Sequence, residues 1–285
     1  MIKIKPSQSL DAKVTAAFLN NVALNRRGGL RSYLPTYLQI WNNEVKAYIH
    51  AHNAGISLNL ALLTSHSVVH SKSLENLYTS AKANDNNERT YIAKYRNKHK
   101  GKPCPYCAGS SCGTLDHYYP KSIIPQFSII PCNLVPCCHR CNTIKQTITP
   151  TSSHQRFIHP FFDSFDIRRE IFEILPTIKS GVLVFEISAN KNLSSSEVNT
   201  IDFHIKNLEL NIYLQSDIRA KIRRIFDEIQ TSIQAGMPAA NISIKLDLMI
   251  KLHKQRNENE HWALVLLQSI RNNYQQYVQC ERLIK

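Results

Sequence analysis

Two cysteine pairs, Cys104-Pro-Tyr-Cys107 and Cys138-His-Arg-Cys141, bracket a stretch that holds Asp116, His117, Asn133 and, just past it, Asn142. A two-residue gap lets both sulfurs of a pair turn toward one ion, and two pairs supply the four soft ligands that tetrahedral zinc prefers. Between the pairs lie an imidazole and hard oxygen donors. Hydrolysis of a phosphodiester needs that mixture: a base, a positioned water and a cation. His117 suits the base, because imidazole, with an ordinary pKa of about 6.5, is largely neutral near pH 7. If the segment is extended, Asp116 points to the side opposite His117 and suits a Mg²⁺ ligand; Asn142 can offer a carbonyl oxygen to the same ion.

Other residues near the pairs have weaker claims. Cys137 could replace Cys138, and Cys112 could replace Cys107, but either exchange lengthens the gap, so Cys112, Cys132 and Cys137 are assigned to packing. His139 lies inside the second pair and is expected to be exposed. Lys145, one helical turn beyond Asn142, is a candidate to reach a phosphate oxygen, as are Arg140 and Lys121. The segment Lys94-Tyr-Arg-Asn-Lys-His-Lys-Gly-Lys102 leads into the first pair with five cations and no acid. It reads as a strip for a nucleic-acid backbone, with Lys98, Lys100 and Lys102 nearest the pair. Arg26, Arg27 and Arg31, and the cluster Arg219-Ala-Lys-Ile-Arg-Arg224, are further basic patches. His154 and His159 follow closely enough to lie near the cluster; His159, in an aromatic run before Pro160, reads as structural, and so does His204.

The stretches Leu115-Asp-His-Tyr-Tyr-Pro-Lys-Ser122 and Asn133-Leu-Val-Pro-Cys-Cys-His-Arg-Cys-Asn142-Thr-Ile-Lys145 together resemble the HNH endonuclease family in its zinc-ribboned form. The resemblance covers residues 104 to 145. It implies a ββα-metal unit with the first histidine on or beside the first strand, the central Asn in the connecting loop and the last ligand at the start of the helix. That last ligand is Asn142 here, in the place of the usual histidine. The resemblance also implies that Asn133 ties the loop and orients His117, that Zn²⁺ is structural, and that Mg²⁺ or Mn²⁺ is catalytic. The activity it implies is endonucleolytic hydrolysis of nucleic acid, with DNA favoured over RNA, in restriction or phage defence. Two other readings stand beside it. One is a zinc-ribbon DNA-binding module without catalysis; the other is an interaction subunit that cuts only with a partner, such as an ATPase. A homodimer would be a common way to cut both strands.

Composition agrees with a folded nucleic-acid-binding protein. At 43% hydrophobic and 20% charged residues, the 285-residue chain can bury a core and is not of the disordered class. Its 35 Lys+Arg against 21 Asp+Glu leave a net charge of +14, which attracts polyanions. The opening residues lack the apolar run of a secretory signal, and the longest apolar stretches are too short to span a membrane. A cytoplasmic setting is therefore expected. Seven of the eight cysteines fall between Cys104 and Cys141, which in a reducing compartment favours a metal over disulfides; Cys280 stands alone.

The expected fold class is α+β, a mostly helical chain around a central zinc-bound core. Residues 1–100 form a helical arm, with Leu34, Tyr37, Leu38, Trp41, Val45 and Ile49 on one buried face and breaks at Arg27-Gly28-Gly29, Pro35 and Asn84-Asp85-Asn86-Asn87. Residues 101–150 form the core. Residues 151–285 are mainly helical, with a short strand near 181–187 and a helix start at Ser194-Ser-Ser-Glu197. Ile218, Ile222, Ile225 and Ile229, and then Trp262, Leu264, Leu266, Leu267 and Ile270, mark two further helix faces.

Overall fold

The computed structural model describes residues 12–25, 30–79, 87–163, 171–180, 182–256 and 261–277. The expectations for Arg26, Arg27, Gly28, Gly29, residues 84–86 and Cys280 fall outside them. The described residues mix helices with two small antiparallel sheets, and the chain divides into two compact units. One holds the described residues of 2–106 and 111–164; the other holds those of 165–285 with the short turn 107–110. The N-terminal helices share their unit with most of the cysteine-rich core.

In the first unit, α1 (Ala12–Asn25) packs on α2 (Tyr33–Asn53) and on α4 (Asn87–His99). The periodicity of α2 is amphipathic as expected: Leu34, Tyr37, Trp41, Val45 and Tyr48 are buried, while Leu38 and Ile49 are half-buried. Pro35 does not break this helix. It sits in the first turn, where a missing N–H costs no hydrogen bond. The far end closes at Gly55, whose φ of +67° lets the Ile56 N–H return to the Ala51 carbonyl at 2.9 Å. α3 (Val68–Thr79) packs on a 3-10 turn at Pro125–Phe127.

The core of this unit has the order strand, loop, strand, helix. β1 (Thr114–His117) pairs antiparallel with β2 (Leu134–Cys137), placing His117 opposite Leu134 and Asp116 opposite Val135. α5 (His139–Lys145) follows directly and packs on β1. Its N-cap is Cys138, whose Sγ accepts the Cys141 N–H at 3.4 Å, so the second cysteine pair is also the start of a helix. Gln146, with a φ of +43°, ends it.

In the second unit, β3 (Phe172–Lys179) and β4 (Val182–Ala189) form a hairpin. The strand expected near 181–187 corresponds to β4; its partner β3, which carries Pro176, was not anticipated. A two-stranded sheet leaves both edges open. Here side chains occupy one position on each edge: Asn211 exchanges two hydrogen bonds with the Ile187 backbone at 2.6 and 3.1 Å, and Ser269 Oγ accepts the Ile174 N–H at 2.8 Å. Those groups come from α7 (Leu210–Gln234) and α9 (His261–Asn272), which with α6 (Ser195–Asn207) cover the hairpin. α6 begins with a capping box between Ser194 and Glu197. Ile225 and Ile229 of α7 are buried, as are Trp262, Leu266, Leu267 and Ile270 of α9, with Leu264 half-buried. α8 (Ala239–Arg256) packs on α7 and α9. Among the described residues, no helix is long and apolar enough to cross a membrane.

Candidate functional site

Cys104, Cys107, Cys138 and Cys141 are all buried and unoxidised, and their sulfurs lie within 4.8 Å of one another. That donor set fits a structural zinc, since four soft sulfurs at this separation can close on one tetrahedral ion and leave it no open position. Cys112, Cys132 and Cys137 are buried outside this group of four, and His139 is exposed. Burial pushes the Cys132 and Cys137 thiols well above the usual range.

β1 divides the chemistry between its two faces. Thr114 and Asp116, two residues apart, face α5; Asn142 Nδ2 donates to Thr114 Oγ1 at 3.1 Å, and one turn later Lys145 Nζ lies 3.0 Å from Asp116 Oδ2. Lys145 also donates to the His117 carbonyl at 2.7 Å and sits 5.5 Å from the centre of the Phe157 ring. Asp116 accepts a further hydrogen bond at Oδ2 from Tyr106 Oη, 2.8 Å away. Tyr106, Asp116 and Lys145 are each 2% exposed or less. Burial raises the Asp116 pKa above the usual carboxylate range, against the pull of Lys145 and Tyr106.

Two expectations change as a result. Lys145 does not reach outward for phosphate: it is wholly buried and compensates Asp116. Asp116 has both carboxylate oxygens engaged, so with Asn142 it does not present an open seat for Mg²⁺ or Mn²⁺ in this arrangement. The residues fit zinc and, as placed, do not fit the second cation.

His117 lies on the other face of β1. Its Nε2 is 2.7 Å from the Ser128 carbonyl, and Tyr78 of α3 packs edge-on against its ring at 4.5 Å. A carbonyl only accepts, so Nε2 carries the proton in the neutral ring and Nδ1 is the basic nitrogen. Burial lowers the His117 pKa to about 4, with Lys121 and Lys145 adding in the same sense and the Ser128 carbonyl opposing. At pH 7 the ring is neutral and can accept a proton.

Asn133 ties the loop between the strands. Its Oδ1 accepts the Tyr119 N–H at 2.8 Å, while its Nδ2 donates to the carbonyls of Tyr119 and Phe127 at 3.0 and 3.1 Å. The N-terminal helices hold the same loop from outside. Trp41 donates to the Gln126 carbonyl at 2.7 Å, Tyr48 to that of Cys132 at 3.3 Å, and Ser128 Oγ to the Leu74 carbonyl of α3 at 2.6 Å. Sequence reasoning missed Tyr106, Tyr78 and Ser128. Ser128 acts on His117 through its backbone, so its side chain gave no signal.

The basic candidates separate by exposure. Lys94, Arg96, Lys98, Lys100 and Lys102 are exposed, while Tyr95 and His99 between them are buried with ring centres 5.0 Å apart. The strip is thus one-sided, anchored by its rings. It joins the first cysteine loop through the Cys112 N–H, which donates to the Lys102 carbonyl at 2.7 Å. Lys121 is half-buried and paired with Glu75 of α3 at 2.7 Å, and Arg140 is half-buried. Arg31 and Arg224 are exposed. His154 is exposed; His159 is wholly buried and bonded to Tyr48 Oη at 3.0 Å, a structural placement. His204 is buried within α6.

The chain is 24% identical over 193 residues to Protein ea31 of Escherichia phage lambda, an alignment covering 61% of this chain and 62% of that relative. It therefore spans less than two thirds of the relative's length. No family model matches the chain, and no solved structure matches it.

Proposed function

We propose that this chain is an endonuclease of the HNH type, hydrolysing phosphodiester bonds of nucleic acid, with DNA as the favoured substrate. The observation that carries the reading is His117. It stands on a strand clasped by a four-cysteine clip, with Nε2 fixed on a backbone carbonyl so that Nδ1 is the basic atom. In the reaction, Nδ1 takes a proton from water, the water oxygen bonds to phosphorus, and the P–O3′ bond breaks, the departing oxygen gaining a proton from solvent. A phosphate beside the ring would raise its pKa from about 4 toward the working pH, strengthening the base where it is needed. The exposed cations of residues 94–102 would track the backbone. Zinc, when bound by Cys104, Cys107, Cys138 and Cys141, would hold the scaffold and take no part in the bond changes. Mg²⁺ or Mn²⁺ would be the cation of the reaction, although Asp116 and Asn142, engaged as they are, do not hold it in this arrangement. A place in phage defence or restriction, in the cytoplasm, belongs to the same proposal.

The test is cleavage of supercoiled and linear DNA by the chain and by His117→Ala at equal zinc content, with Mg²⁺, with Mn²⁺ and with EDTA. The reading expects nicking or linearisation that falls about 100-fold or more in the variant, the scale of general base catalysis. If both proteins bind DNA and neither cuts, catalysis by the isolated chain is wrong and a partner-dependent subunit takes its place.

A further inference from the structure

Asp116 and its surroundings point to a property that the nuclease reading neither requires nor supplies. We infer that Lys145 is the resident cation of Asp116, and that a divalent ion gains this carboxylate only by exchanging with the ammonium.

An ammonium has three N–H donors and no acceptor, and this one is housed on several sides. Asp116 meets it at 3.0 Å, the His117 carbonyl at 2.7 Å, and the face of Phe157 at 5.5 Å. Nothing about Lys145 is solvated, since its exposure is 0%. A buried lysine is expelled or deprotonated unless an anion stays beside it, so Asp116 is as necessary to Lys145 as the reverse. Tyr106 donates to the same Asp116 oxygen, Oδ2, at 2.8 Å, and Lys145 also reaches Oδ1 at 3.3 Å, so both oxygens are already engaged where a metal would bind. A divalent ion brought to the same carboxylate would sit within a few ångströms of the ammonium, two like charges on one monoanion in a low-dielectric pocket. Both cannot remain. Asn142, the other hard donor, is held one turn away on Thr114, so it could join the ion only after Lys145 yields.

The test uses the zinc-loaded full chain and reads cation binding, not cleavage, so its failure is distinct from failure of the nuclease reading. Mn²⁺ titrations followed by electron paramagnetic resonance compare the chain with Lys145→Met and with Lys145→Met/Asp116→Asn. The expected result is that Lys145→Met gains one Mn²⁺ site at least tenfold tighter than the chain's own, and that adding Asp116→Asn abolishes the gain. Equal affinity in the chain and Lys145→Met, or no site in Lys145→Met, overturns the inference. Should Lys145→Met fail to fold, the unaltered chain decides. As Mg²⁺ is added, the side-chain ¹⁵N resonance of the buried ammonium must shift or vanish in step with any change in the Asp116 carboxyl ¹³C resonance. Movement of the carboxyl signal with an unmoved ammonium signal, or no carboxyl response at any Mg²⁺ concentration, rules exchange out.

Discussion

Asn133 and Tyr119 exchange a reciprocal pair of hydrogen bonds, the side-chain amide of one answering both backbone groups of the other at 2.8 and 3.0 Å. One amide thus imitates a rung of β-ladder across the loop that carries Ser128, and through Ser128 it bears on His117. Asn133→Ala removes three buried hydrogen bonds and is expected to cost about 3 kcal/mol, since the backbone groups left behind have no water to turn to. Asn133→Asp keeps the acceptor and loses both donors, so it should be no milder. Urea unfolding with zinc present measures the loss; a change below about 1 kcal/mol would refute this account of the loop.

Lys145 and Asp116 should be strongly non-additive. Lys145→Met alone strands a buried carboxylate and is expected to destabilise by about 3–5 kcal/mol, whereas Lys145→Met combined with Asp116→Asn removes both charges and should cost less than the two single changes summed. A double-mutant cycle by chemical denaturation gives the coupling directly. Strict additivity would mean that the pair does not interact as placed.

Zinc should be present at one ion per chain by mass spectrometry and should be lost in Cys138→Ser. Stripping it with a strong chelator is expected to lower the melting temperature by roughly 10 °C or more, because four buried thiols lose the ion that draws them together. A metal-free chain that melts unchanged would leave the four cysteines as packing alone.

The buried imidazoles make stability depend on pH in a fixed direction. Burial lowers His117 to about 4 and His52 to about 3, and His159 lies well below its ordinary value for the same cause. The unfolded chain binds these protons below about pH 6.5, while the folded chain refuses them until far lower. Stability is therefore fully present above about pH 6.5 and falls as pH drops toward 4 and 3, by about 1.4 kcal/mol per pH unit for each imidazole involved. Asp116, with its raised pKa, works in the opposite sense at the acid end. Calorimetric melting from about pH 8 to about pH 5 tests the slope, and a flat profile would contradict the burial of these rings.

The cation strip predicts a salt signature. Replacing Lys98, Lys100 and Lys102 with alanine should lower the slope of log affinity for duplex DNA against log salt by about 0.9 for each phosphate that is no longer neutralised. These side chains are exposed, so folding should not suffer. An unaltered slope would assign the strip to ordinary solvated surface.

What could be read from the residues was local. Cysteine spacing implies convergence on one ion because two intervening residues suffice to turn a pair inward, and the Ser194/Glu197 cap and the buried face of α2 are set within a few helical turns. Lys145 shows where such reading stops. On a short helix it looks like a solvated cation, and its burial is decided by a carboxylate 29 positions away. β3 was hidden by Pro176, which sequence rules count against a strand but which an edge accommodates. Ser128 and Tyr78 meet His117 only once the loop and α3 have folded over it.

The loop's tethers to Trp41, Tyr48 and Leu74 have a practical corollary. Its partners lie 85, 84 and 54 positions upstream, so the motif is not a transplantable cassette. A fragment cut at residues 104 and 145 would carry every signature residue and lack the moorings that aim the histidine. On the proposed nuclease reading, lesions in the first eighty residues would then mimic His117 knockouts without touching the motif, and a genetic screen for loss of function should scatter its hits accordingly.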